Sequence, residues 1–287
     1  MILIIVVIVC LCRSINNRYL NIQNTDPVQS LLVNTGTQGD SRAVDALKIE
    51  LENYIKNYKG QYGIYYYNIV TGEEFGINEA DEYTAASTIK VPLNLYLYNN
   101  IKSGAVDPQG TIKYLKDDYE GGTGKIQYEK VGNTYTIDEL SKFSIVLSDN
   151  VAANMLIRFL GIDNIKQYMR QVGGVVVQDG QNVSCPKDMG LYMRLVYEFS
   201  SREGVLGQQL MDCFLNTQFN DMIPALLPTN IKVAHKIGNQ VGVVNDVGIV
   251  FSDRPYILAV MSKDVDEKEA ATVLPIVSKK VFDYATN

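Results

Sequence analysis

Three short segments carry residue types suited to acyl transfer: Ser87-Thr88-Ile89-Lys90, Ser148-Asp149-Asn150 and Lys236-Ile237-Gly238. The first sets a hydroxyl three residues before an amine. On the opening turn of a helix, that spacing puts both side chains on one face. A serine and a lysine so placed make a nucleophile and its base without histidine. The chain holds one histidine, His235, on a strand pattern beside Lys236. It reads as a strand packing residue rather than a base, so a Ser-His-Asp triad is not favoured, and a site of several histidines around a metal is excluded. Isolated fragments of the same patterns mean little. Ser184-Cys185-Pro186-Lys187 repeats the first spacing, but Pro186 marks it as a helix start. Lys102-Ser103-Gly104 resembles the third, yet it falls at a helix end where Gly104 is the expected stop.

The elements around these segments follow from hydrophobic periodicity. A helix begins near residue 43, with Leu47, Leu51, Tyr54, Ile55 and Tyr58 on one face and Gly60 as its stop. Residues 61–70 form an aromatic and β-branched run, Thr71-Gly72 a turn, and 73–77 a return strand. The middle of the chain is helical: 87–102, a Thr136-x-x-Glu139 capping box leading into 140–147, then 151–159, 163 to the Gly173-Gly174 stop, 186–199 and 205–215. Strands return at 231–237, 243–251 and 255–261, and a last helix covers about 267–284. This order predicts an α/β (α+β) fold: a sheet flanked by N- and C-terminal helices, with an all-helical insert. Hairpin-length turns make the sheet mainly antiparallel.

The 287 residues can bury a sizeable core, and the 46% hydrophobic content is ordinary for a globular protein. A net charge of −6 with no Lys/Arg cluster argues against a nucleic-acid or anionic-membrane surface. Residues 1–12 are uniformly apolar and precede Arg13. The run is shorter than the roughly 20 residues of a membrane span and fits the apolar part of a secretory signal or a membrane anchor. Residues 13–41 are polar and aperiodic, as a spacer would be. The expected organisation is therefore a leader or tether at 1–12, a spacer at 13–41 and a catalytic domain at 42–287. Within that domain, about 42–80 and 229–287 form the α/β part and about 81–228 the helical part. The expected location is outside the cytoplasm, and the expected state a monomer. Cys185 and Cys213, the two body cysteines, suit either a disulfide or two buried thiols.

Taken in order, Ser87-x-x-Lys90, Ser148-Asp149-Asn150 and Lys236-x-Gly238 resemble the motif set of class A β-lactamases and penicillin-binding proteins. Tyr119-Glu120-Gly121-Gly122-Thr123-Gly124, the run from Ser148 to Asn154, and Asn245-Asp246-Val247-Gly248-Ile249-Val250 also resemble segments of that family. The resemblance spans about 42–287. It implies a serine hydrolase that needs no metal or organic cofactor and acts on a small-molecule β-lactam or a cell-wall peptide. Ser87 would be the nucleophile. Lys90 would be the base, once its pKa falls from about 10.4 through burial and the nearby Lys236 cation. Ser148 would relay a proton to the leaving nitrogen, held by Lys236. Asn150 would hold Lys90 and the substrate amide. Gly238 belongs to the substrate-binding strand, and the amides of Ser87 and Asn239 would form the oxyanion hole.

Two departures from the family pattern stand out. Ile237 occupies the place of a hydroxyl residue expected to bind the substrate carboxylate, a charged hydrogen bond worth roughly 1.5–3 kcal/mol. The Glu-x-x-Leu-Asn loop, whose glutamate drives water onto the acyl-enzyme, has no counterpart, because 173–187 contains no glutamate. Asp179 and Asp188 are the acids nearby, but Asp188 is better explained as a helix first-turn carboxylate and Asp179, in Asp-Gly, as a turn residue; Glu120, from the Gly-rich turn, is a third replacement to consider. The expected consequence is intact acylation with slow deacylation. The alternatives are a D-alanyl-D-alanine peptidase or transpeptidase and a non-catalytic penicillin-binding or sensor module.

Overall fold

The computed structural model describes residues 41–286; the expected leader and, but for Ser41, the expected spacer lie outside the described residues. Helix α1 (Ser41–Ile55) buries Leu47, Leu51 and Ile55, a stripe at four-residue spacing. Strands β1 (Gln61–Asn68) and β2 (Glu74–Ile77) make a hairpin, and a two-residue strand β3 (Tyr83–Thr84) follows. A 3-10 turn at Ala86–Ile89 runs straight into helix α2 (Lys90–Lys102). Short strands β4 (Thr111–Lys113) and β5 (Thr134–Thr136) pair before helix α3 (Ile137–Val146). That helix starts on the expected capping box: Glu139 N–H donates to Thr136 Oγ1 (3.2 Å), and Thr136 N–H donates to Glu139 Oε2 (2.8 Å).

Helices α4 (Asn150–Leu160) and α5 (Ile162–Gln171) come next, then strand β6 (Val183–Ser184). Helix α6 (Pro186–Arg202) opens with Pro186, whose missing N–H costs nothing in a first turn, and α7 (Gly204–Leu215) closes the helical run. Strands β7 (Lys232–Gln240), β8 (Val243–Phe251) and β9 (Tyr256–Lys263) precede the final helix α8 (Glu267–Thr286).

The main sheet has the order β2-β1-β9-β8-β7, with every neighbouring pair antiparallel. Because β1 pairs with β9, the two ends of the described chain meet inside one sheet, and β7 is left as an edge. Side chains alternate across the sheet with period two. Tyr256, Leu258 and Val260 join an outer apolar layer with α1 and α8, while Ile257, Ala259 and Met261 join an inner layer with the helices of the middle segment. Both faces are covered, which is why these strands read as nearly continuous apolar runs.

The same alternation governs β7. Val233 and Ile237 belong to the outer layer and Ala234 to the inner one, so Lys236 points inward beneath the helical part. Cys185 and Cys213 are buried free thiols, their pKa values raised by burial to about 12 and about 11. Among the described residues no helix is long and apolar enough to cross a membrane.

Candidate active site

Ser87 lies within the 3-10 turn and Lys90 follows directly on its end, as the first residue of α2. At three residues per turn, positions i and i+3 eclipse, and Lys90 Nζ sits 3.0 Å from Ser87 Oγ. Ser87 does not cap the helix: Ala85 holds the cap position, and no side chain bonds the free amides there. Its hydroxyl is thus left for chemistry. The preceding Ala86 adopts φ 47°, a left-handed conformation that costs a residue with a Cβ of order 1–3 kcal/mol. Ser148, on the facing loop, is held in the same region at φ 50°.

Lys90 is 4% exposed and donates to the Ser148 carbonyl (2.6 Å) and Asn150 Oδ1 (2.8 Å) as well as to Ser87; Ser148 Oγ lies 3.3 Å away. Burial lowers its pKa from 10.5 to about 8, against the pull of the Glu120 and Asp149 carboxylates. Lys236 is fully buried and donates to Ser148 Oγ (2.8 Å) and to the Ile237 carbonyl (2.7 Å). Its pKa falls well below the usual lysine value, through burial first and the Lys90 cation second. The lysine–lysine repulsion anticipated from the sequence is therefore borne by Lys236, and burial is what tunes Lys90. A continuous path runs from Ser87 Oγ through Lys90 and Ser148 to Lys236.

Asp149 caps α4 by accepting from Ala152 N–H (2.9 Å), and it also accepts from the amides of Lys125 (2.7 Å) and Ile126 (2.9 Å). These bonds clamp the Gly-rich turn onto the second motif. Gly124 is required there, because a Cβ would fall 2.2 Å from Asp149 Cγ. Thr123 Oγ1 donates to the Ser148 carbonyl (2.7 Å), and Asn150 Nδ2 to the Gly121 carbonyl (3.0 Å). On the far wall, Gly238 lets β7 approach the nucleophile turn: a Cβ would meet the Ala85 carbonyl oxygen at 2.8 Å and Thr88 N at 2.9 Å.

These parts border a cleft of about 600 Å³ whose walls include Ser87, Lys90, Glu120, Asn150, Asn239 and Gln240. Lys236, Ser148 and Gly238 lie behind its surface. Ile237, expected in a substrate-binding position, turns its side chain into the outer apolar layer and is 8% exposed. What reaches the site from this residue is its carbonyl, which holds Lys236.

The three candidate replacement acids separate cleanly. Asp188 is buried and accepts from the amides of Val175 (2.9 Å) and Val176 (2.7 Å), pinning the segment before β6 onto α6. Asp179 is 73% exposed in its side chain and paired with Arg170. Glu120 alone of the three borders the cleft, where it accepts from Asn154 Nδ2 (2.9 Å). His235 is fully buried with Nδ1 2.9 Å from Asp246 Oδ1 and does not border the cleft. Among the described residues no cluster of His, Cys, Asp and Glu could hold a metal ion.

The sequence reading did not single out Lys166, Gln181 and Asn182, which complete the cleft wall. Lys166 sits beside Ile165 on α5, where the apolar stripe absorbs attention. No spacing in the sequence marks it as inward-facing.

This geometry defines a serine hydrolase of the class A β-lactamase type. The model of the "Beta-lactamase enzyme family" matches residues 46–285, and the chain belongs to that family. Beta-lactamase ROB-1 of Haemophilus influenzae is 27% identical over 240 residues, covering 76% of this chain and 77% of the relative. Beta-lactamase VEB-1 of Pseudomonas aeruginosa is 20% identical, covering 85% of this chain and 91% of its own length. Among solved structures, a mutant of PBP-A in an acyl-enzyme complex with penicillin G matches with a TM-score of 0.78 at 25% identity over 84% of this chain and 96% of its own. An ancestral class A β-lactamase matches in fold with a TM-score of 0.76 at 22% identity, covering 83% and 99% of the two chains.

Proposed function

We propose that Ser87 attacks the carbonyl carbon of a β-lactam and forms an acyl-enzyme that water releases slowly. The observation that carries this reading is the contact of Ser87 Oγ with Lys90 Nζ at 3.0 Å, on a lysine whose pKa is lowered to about 8. At pH 7 about one Lys90 in ten is neutral. In that form Nζ takes the Ser87 hydroxyl proton as the C–O bond forms. The C–N bond then breaks, and the proton passes through Ser148 Oγ to the departing nitrogen. Lys236 steadies Ser148, and Asn150 orients Lys90 and the substrate amide. The amides of Ser87 and Asn239, the latter on edge strand β7, face the developing oxyanion.

Slow release is supported by the fates of the acids. Asp188 is consumed by two backbone amides, Asp179 is held at the surface by Arg170, and Glu120 is engaged by Asn154. A D-alanyl-D-alanine peptide would use the same acylation machinery with a different leaving amine. We also read 1–12 as a leader or tether and 42–287 as the catalytic unit placed outside the cytoplasm, where cell-wall peptide and β-lactams are met.

Intact-mass spectrometry after mixing with benzylpenicillin tests the reading. An adduct of one penicillin per chain, mapped to Ser87 and absent in Ser87→Ala, is expected. Absence of any adduct with β-lactams and with an acyl-D-Ala-D-Ala peptide would leave a binding module in the enzyme's place.

A further inference from the structure

The cleft holds a cation that the acylation chemistry does not use. Lys166 borders the cavity, yet the residue is 3% exposed. Its ammonium carries three N–H donors. One goes to the Gln181 carbonyl at 2.9 Å. Among the described residues no carboxylate lies within ion-pair distance: Asp179, whose charge acts on it, is taken by Arg170, and the Arg170 cation itself opposes a charge on Lys166. A buried ammonium without a counter-ion is a costly thing to keep, and burial accordingly lowers the Lys166 pKa. Ile157 and Ile162 are further, apolar side chains of the cleft lining.

Lys166 belongs to a different wall from the leaving-group machinery. Ser148 and Lys236 come from the α3–α4 loop and β7, whereas Lys166 comes from α5 and sits with Gly180, Gln181 and Asn182. Residue 182 is tied directly to the nucleophile turn: Ala85 N–H donates to its carbonyl (2.9 Å), and Asn182 Nδ2 donates to the Ala86 carbonyl (3.1 Å). A substrate acylated on Ser87, with its nitrogen toward Ser148, would turn its acyl portion toward this wall.

We propose that Lys166 is a carboxylate-binding group of the cleft and makes the enzyme select acyl donors that carry an anionic group on the acyl side, such as an acidic peptide or a β-lactam with a carboxylated side chain. The assignment rests on the acyl-enzyme reading above. It gives the free N–H donors a partner and supplies the buried ammonium with the counter-ion the protein does not.

The test compares benzylpenicillin with α-carboxybenzylpenicillin, which differ by one carboxylate on the acyl side chain and share the ring carboxylate. The second-order rate of Ser87 acylation is measured for both, in the wild type, Lys166→Gln and Lys166→Arg. Glutamine keeps a donor for the Gln181 carbonyl without the charge, and arginine keeps the charge. The carboxylated-to-plain rate ratio should fall at least about tenfold in Lys166→Gln, the effect of losing one charge-assisted hydrogen bond of about 1.4 kcal/mol. In Lys166→Arg it should stay within about threefold of wild type. Should the glutamine variant lack a melting transition, Lys166→Met gives the same readout. A ratio that stays put while both rates fall together makes Lys166 a strut for the 180–182 segment and overturns the proposal. If neither compound acylates wild-type Ser87, the acyl-enzyme reading fails and the proposal falls with it. Acylation of both at an unchanged ratio in Lys166→Gln sinks the proposal alone.

Discussion

The two walls of the cleft are built on opposite electrostatic plans. Around Ser87, each polar group is paired to another that serves the same reaction: Lys90 with Ser87, Ser148 and Asn150, and Lys236 with Ser148. On the wall formed by α5 and residues 180–182, the ionisable group is a lysine, and the nearby acids Asp179, before β6, and Asp188, in the first turn of α6, are spent on surface and backbone partners. On the proposed reading, the first wall prepares a nucleophile and a leaving-group acid. The second offers no free carboxylate to pull a proton from water. One half of a two-step reaction is thus provided for, and the comparison predicts that the halves respond differently to mutation.

Ser87→Ala should have the largest effect and abolish covalent adduct formation altogether, as read by intact mass. Lys90→Met should slow acylation by about 10²–10⁴, the usual worth of a positioned general base, while any adduct that does form persists as long as in the wild type. A variant that slowed release as strongly as acylation would erase the distinction between the walls. Asp188→Ala, which removes a buried carboxylate and leaves the Val175 and Val176 amides before β6 without their partner, should cost about 1–3 kcal/mol and lower the Tm by several degrees in a thermal melt. The pH profile bears on the first wall alone. With neutral Lys90 as the proposed base and its pKa lowered to about 8, the acylation rate should climb nearly tenfold per pH unit below 8 and level off above it. Glu120→Gln should have the smallest effect. Removing the carboxylate that pulls the Lys90 pKa upward should move the midpoint of that profile to lower pH. A midpoint that rises instead would show that Glu120 acts in another way.

Much of this fold was legible in the sequence because its signals are periodic. The apolar and aromatic runs at 61–70, 243–251 and 255–261 and the Thr136/Glu139 capping box announce themselves locally. The small pairs β3–β6 and β4–β5 were not visible, since two- and three-residue strands carry no period and exist only through their partners. The site divides in the same manner. Ser87 and Lys90 are neighbours in sequence and reach each other through one turn, so spacing alone reveals them. Ser148 and Lys236 needed the resemblance, because only the fold brings them together. Ile237 was read as facing the substrate, yet strand alternation sends its side chain to the outer layer and leaves its carbonyl to hold Lys236. Lys166 was invisible: its burial depends on the path of residues 180–182, which no local pattern encodes.

The central claim is that acylation outpaces deacylation. Rapid mixing of the protein with excess chromogenic β-lactam measures both in one trace. A burst of about one product equivalent per Ser87, followed by a steady phase slower than the burst by at least about a hundredfold, is the predicted result. Linear turnover from the first milliseconds, with no burst and no accumulated adduct, would contradict it and would mean that the loop wall holds an effective base after all.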